Sequence, residues 1–206
     1  VSIGRWEIFL CQLPNNKDML RFYYTTSAGY NNGQTKISDS LGGYKSSTPV
    51  PNDMFSNLFD EISLNLASNP REQYIALILK NEGTETLKNV NMWFSAVTEN
   101  PYGKIMVGAI GMNKDENDNP VTPRTSSIYE KPYWIQFYDA TEDDKVTLGD
   151  IESDAEICLW FSRVLDGKII REDYNNVAER DTNTQNRYKK VEKETDEIFN
   201  INLVWE

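Results

Sequence analysis

The run Tyr74-Ile75-Ala76-Leu77-Ile78-Leu79 decides the fold class. It is apolar throughout and bounded by Glu72-Gln73 on one side and Lys80-Asn81 on the other. A short unbroken apolar run between polar flanks reads as a central β-strand covered on both faces. Working outward, Asn81-Glu82-Gly83 supplies turn residues and Leu87–Phe94 supplies a second β-rich run, so Glu72–Phe94 reads as a hairpin. The same alternation of Ile, Val, Tyr, Phe and Trp runs with Gly, Asn, Pro and Asp clusters fills most of the chain. Further strands are expected at Arg5–Cys11, Leu20–Thr26, Phe59–Leu66, Lys104–Ile110, Tyr133–Tyr138, Lys145–Leu148, Glu156–Val164 and Glu197–Trp205. In the last, Phe199, Ile201, Leu203 and Trp205 form one apolar face. A long loop is expected from Ser27 to Asp53, and a polar excursion from Asn113 to Pro123. Many short strands with such turns predict an all-β, antiparallel sandwich or barrel.

The chain has 206 residues, enough for a single domain with a real core. Residues 1–18 read as an N-terminal strand or extension, and residues 177–196 as a polar insertion before the last strand. That insertion holds five acids and five bases, has almost no apolar stripe, and has the i,i+4 charge spacing of a short helix over 186–197. No run of about 18 apolar residues occurs, and the start Val1-Ser2-Ile3-Gly4-Arg5 lacks the apolar stretch of a signal peptide. Net charge is −11 and histidine is absent. Without histidine there is no Ser-His or Cys-His nucleophile pair, no His-ligated zinc and no imidazole base. The negative balance argues against nucleic acid or an anionic membrane as partner. Cys11 and Cys158 lie far apart outside any CxxC pair, and two buried thiols are expected rather than one long-range disulfide.

Four constellations could carry chemistry. Asp115, Asn117 and Asn119 space oxygens like the start of a calcium loop, but Pro120 and Ser126 stand where that loop needs Gly and Glu, so an acidic turn is expected. Asp139 to Glu156 holds eight carboxylates against Lys145. A glycosidase would need two of them facing across a cleft, and solvated charge is the reading preferred. Trp6, Tyr23, Tyr24, Tyr30, Trp93, Tyr102, Tyr129, Tyr133, Trp134 and Trp160 could stack on sugars, anchor an interface or fill the core. The glycines make no phosphate loop, so no cofactor is expected.

The segments Leu20-Arg21-Phe22-Tyr23-Tyr24, Ser40-Leu41-Gly42-Gly43, Asn57-Leu58-Phe59-Asp60-Glu61-Ile62-Ser63, Gln73-Tyr74 through Lys80-Asn81, Leu87 to Phe94, Val146-Thr147-Leu148-Gly149-Asp150-Ile151, Leu159-Trp160-Phe161-Ser162-Arg163 and Asp173-Tyr174-Asn175-Asn176 form an ordered series. Taken together, they resemble a family of small virion structural proteins of tailed bacteriophages. The series is collinear from about Met19 to the C-terminus. Departures are Ile75 and Ser162 where the family has arginines, Asn69-Pro70-Arg71 in place of a Gly turn, and the 177–196 insertion. The resemblance implies an Ig-like β-sandwich without catalytic residues. Its expected place is the virion surface, and its expected partners are major capsid or tail proteins, or copies of itself. An auxiliary, decorating role on the capsid is expected before a tail or neck role, and a sugar-binding module of a fibre is the alternative from another class. Arg187, Tyr188 and Lys189 in the insertion, with Tyr102 and Tyr129, are the candidate partner contacts.

Overall fold

The computed structural model describes residues 2–3, 6–12, 19–33, 36–51, 58–59, 62–63, 71–96, 103–165 and 197–205. Its strands are β1 (Ser2–Ile3), β2 (Trp6–Gln12), β3 (Leu20–Thr26), β4 (Tyr44–Pro49), β5 (Ile62–Ser63), β6 (Arg71–Asn81), β7 (Leu87–Ala96), β8 (Gly103–Gly111), β9 (Asn113–Lys114), β10 (Pro120–Val121), β11 (Val146–Ile151), β12 (Glu156–Leu165) and β13 (Glu197–Val204). A 3₁₀ turn covers Ile37–Asp39. The chain is all-β, as the pattern predicts.

Two sheets carry the fold. A five-stranded antiparallel sheet runs β4-β3-β6-β12-β8, and a four-stranded sheet runs β11-β7-β13-β2. Side-chain alternation explains how they pack. Phe22, Ile75, Leu77, Leu79, Val107, Leu159 and Phe161 of the first sheet bury against Val90, Met92, Ile151, Ile201 and Leu203 of the second. Phe161 sits edge-on to Phe22 at 6.4 Å and to Phe94 at 6.1 Å, linking the two layers. The opposite face of β6 and β12, with Tyr74, Ala76, Ile78, Cys158 and Trp160, is buried as well. Hence the unbroken apolar run at 74–79.

The cover on that second face is the segment Thr122–Tyr138, which crosses the five-stranded sheet as a strap. At one end Thr125 N–H donates to Leu41 O at 3.1 Å. In the middle Tyr74 N–H donates to Ile128 O at 2.7 Å. At the far end Tyr138 exchanges two backbone bonds with Val107, at 2.8 and 3.0 Å, and so covers the edge strand β8. The strap lies so close that a Cβ on Gly108 would stand 2.3 Å from Ile135 Cγ2 and 2.5 Å from Gln136 O.

The structure corrects four sequence expectations. The 72–94 hairpin does not form: β6 and β7 belong to different sheets, and the turn between them carries the chain across the sandwich. Gly83 is not at positive φ there. A Cβ there would stand 2.7 Å from Met19 Cε, the end of a flexible side chain that can shift aside. The loop 27–53 contains a strand, β4. Tyr133–Tyr138 is strap, not strand, because Trp134 and Ile135 are held by side-chain packing and only Tyr138 pairs with a neighbour. Finally, β2 lies parallel to β13, in a sheet whose other pairings are antiparallel, so the N-terminal extension contributes an edge strand. The 177–196 insertion, with Arg187, Tyr188 and Lys189, lies outside the described residues, as does Tyr102.

Candidate functional site

The segments that carry the resemblance build the frame. Where β3 leaves β6, Ser40 takes its place: Ala76 N–H donates to Ser40 O at 2.8 Å, and Ser40 Oγ donates to Ala76 O at 2.5 Å. Ser40 Oγ also accepts Thr25 N–H at 2.8 Å. Gly42 follows at φ +89°, and a Cβ there would stand 2.2 Å from Pro123 O. Gly43, at φ +95°, would place one 2.6 Å from Thr26 O. Both positions therefore require glycine. Asn81, fully buried, ties two turns together. Its Nδ2 donates to Glu85 O at 2.8 Å and to Ile151 O at 3.0 Å, and its Oδ1 accepts Gly83 N–H at 2.9 Å. Gly149, at φ +81°, opens a bulge. There Asp150 accepts Asn89 N–H at 3.0 Å and pairs with Lys88 at 2.7 Å. These two partners, Lys88 first, hold its carboxyl below the ordinary range.

The calcium-like triad is a turn. Asp115 Oδ1 accepts the N–H groups of Asn117 and Asn119 at 2.8 and 2.9 Å, and Oδ2 accepts Tyr44 Oη–H at 3.0 Å. The carboxylate is thus engaged in shaping the β9–β10 loop, and these bonds lower its pKa. Among the described residues no cluster of three or more His, Cys, Asp or Glu is arranged to hold a metal. The acidic stretch is dispersed. Asp139 pairs with Lys104 at 3.4 Å, Asp150 with Lys88, and Asp154 with Lys80 at 3.2 Å.

The aromatic set divides. Trp160 is fully buried and Tyr24 is in the core. Trp134 is half-buried, edge-on to Trp160 at 6.2 Å and to Tyr133 at 4.9 Å. Trp93 is half-buried beneath Lys145, whose Nζ stands 4.5 Å from the ring centre. Tyr129, Tyr133 and Tyr138 all point outward from the strap, Tyr133 being 89% exposed. The strap therefore offers three tyrosine rings to a partner over an apolar base. This is the candidate contact surface, and of the sequence-nominated contacts it contains Tyr129.

A second cluster escaped the sequence reading. It occupies the polar end of the same outer face. Lys45 of β4 is only 5% exposed although it is charged, and its Nζ lies 4.4 Å from the Tyr23 ring centre and 5.3 Å from that of Tyr30. Nζ donates to Asn31 Oδ1, and to Ser46 O at 3.3 Å. Tyr30 Oη–H donates to Glu156 Oε1 at 2.6 Å, and Tyr23 Oη–H to Glu82. Burial is the main cause of three shifts here. It pushes the Tyr23 hydroxyl up to about 12, raises the Glu156 carboxyl and lowers the Lys45 amine. Glu156 Oε2 is buried and, among the described residues, has no hydrogen-bond partner. Tyr23 and Tyr30 belong to the aromatic set and Glu156 to the acidic stretch, but these residues come with Lys45 and Glu82 from distant segments, so no local pattern shows that they meet.

No protein-family model, curated protein or solved structure matches the chain.

Proposed function

We propose that this chain is a non-enzymatic structural component of a tailed-bacteriophage virion. In this reading it is an auxiliary protein on the capsid surface, binding neighbouring virion proteins or its own copies through the strap tyrosines. The observation that carries it is where the collinear motif series falls. Ser40–Gly43, Asn81 and Gly149–Ile151 are framework positions that the fold requires, so the resemblance is one of architecture and not of scattered surface residues. The exposed rings of Tyr129, Tyr133 and Tyr138 then serve as interface anchors. A net charge of −11 suits a surface component that must not bind packaged DNA.

The test is mass spectrometry of purified particles, with the chain expected at stoichiometric level. Its presence only in infected-cell lysate would sink the proposal. Its neighbours in a particle reconstruction separate a capsid position from a tail or neck one. Tyr133→Ala is expected to weaken incorporation by about 2 kcal/mol, roughly 30-fold, without changing the melting temperature.

A second reading has one favouring observation. The open Tyr133 ring beside Trp134 is also a surface on which a sugar face could stack. Binding on a glycan array, lost in Tyr133→Ala, would favour a carbohydrate-binding module of a fibre. The burial of Trp160 removes that ring from such a surface.

A further inference from the structure

We infer that Lys45 and Asn31 become joined by an amide bond that the folded chain makes by itself, the lysine Nζ displacing the side-chain nitrogen of Asn31 as ammonia. The two groups are already in contact, Nζ donating to Asn31 Oδ1, so the nucleophile lies beside the electrophilic Cγ. The backbone holds them there. Asn31 N–H donates to Lys45 O at 2.9 Å, and Ser47 N–H donates to Asn32 O at 2.9 Å. Asn31 itself is fixed at φ 60°. Such positioning replaces a chance encounter by an intramolecular one.

The surroundings favour the reaction. An ammonium buried against two tyrosine rings is costly unless paired, and among the described residues no carboxylate forms an ion pair with Lys45. Burial lowers the pKa of the amine and so raises the share of its neutral form, which is the nucleophile. Amide formation removes the buried charge altogether. The charged groups that act on the amine are Glu156, Lys80 and Glu82, with Glu156 the strongest. Glu156 acts on the amine only through its charge, since its Oε1 is held by Tyr30 and it makes no ion pair with Lys45 among the described residues.

The step balances without an oxidant or reductant. Lys45 Nζ, having given one proton to solvent, attacks Cγ of Asn31. The new C–N bond forms, the attacking nitrogen passes a proton to the asparagine side-chain nitrogen, and the bond from Cγ to that nitrogen breaks. The product is a neutral secondary amide plus ammonia, which takes up a proton from solvent and leaves as ammonium. The bond would fasten the 29–33 turn onto β4, at the edge of the five-stranded sheet, where pairing is otherwise weakest.

Intact-mass measurement of the purified full chain tests this. The expected mass lies below the sequence mass by one ammonia. Trypsin is expected to leave peptides 22–36 and 37–71 covalently joined, with no cleavage after Lys45. A succinimide at Asn32-Gly33 would lose the same mass but would join nothing and leave Lys45 cleavable. That result, or a full sequence mass, overturns the bond. Lys45→Arg and Asn31→Gly are expected at full mass with separate peptides. Should either variant fail to fold, the joined peptides of the unaltered chain still decide.

Discussion

Asn81 shows how one side chain can set the geometry of a region. It is fully buried, and its amide satisfies groups in the turn after β6 and in the turn between β11 and β12. Its backbone joins the same network, Asn81 N–H donating to Ala155 O at 3.0 Å and Asp154 N–H to Asn81 O at 3.0 Å. Asn81→Ala leaves several buried carbonyls and an N–H without partners. The expected loss is ~3 kcal/mol of unfolding free energy, read as a lower urea midpoint at unchanged slope. Asp115 makes as many bonds but sits on an exposed turn, so Asp115→Ala is expected to cost at most ~1 kcal/mol in the same measurement. Cys158 gives a third outcome at this scale. It is a free thiol with no exposure, and burial pushes its pKa up to about 12. Peptide-resolved labelling is therefore expected to find Cys158 unmodified by thiol reagents in the native protein and fully modified in urea.

Among the elements, the strap depends on missing side chains, at Gly42 under its first residues and at Gly108 under its last. Gly108 lets Ile135 and Gln136 approach the sheet more closely than any Cβ would permit. Gly108→Val is expected to lift the strap off the Trp160 face while leaving the inter-sheet core intact. Hydrogen exchange should then quicken at Tyr74, whose N–H is bonded to the strap, and remain slow at Leu77 and Leu159. Equal acceleration at all three would mean that strap and core unfold as one unit. The strap also marks the limit of what local sequence conveys. Leu20–Thr26 was legible to the residue, because its alternation and flanking turns state both its length and its buried face. Tyr133–Tyr138 has the same β-rich composition, but side-chain docking holds it, and composition cannot distinguish a paired strand from a docked one. The turn 81–86 is ambiguous for a related reason: the same residues serve a hairpin or a crossing between sheets, and only the pairing needs of β6 choose. The Lys45 cluster was hidden because it is assembled across strands, whereas the exposed tyrosines could be named but not placed.

At the scale of the molecule, the order of strands in the four-stranded sheet separates sequence position from structural position. The last strand, β13, is interior to its sheet, with β7 antiparallel on one side and β2 parallel on the other. It inserts Ile201 and Leu203, both buried, between the layers, and Trp205 packs against the same core. Among the described residues, strand β2 has β13 as its only sheet neighbour. Removing residues 197–206 therefore does more than trim an end. It strips the pairing partner from β2, exposes one whole edge of β7, and opens the core around Met92 and Phe161. Ile201 and Leu203 alone account for about 3–6 kcal/mol of burial, against a total stability of ~5–15 kcal/mol for a domain. The chain ending at residue 196 is expected to bind a hydrophobic dye and to lose its cooperative thermal transition, while keeping much of its far-ultraviolet β signal. Adding the peptide 197–206 in excess is expected to restore the transition, because the groove between β7 and β2 matches that strand in register and apolar face. A truncated chain that melts cooperatively without the peptide would show that the five-stranded sheet and its strap are a folding unit independent of the second layer.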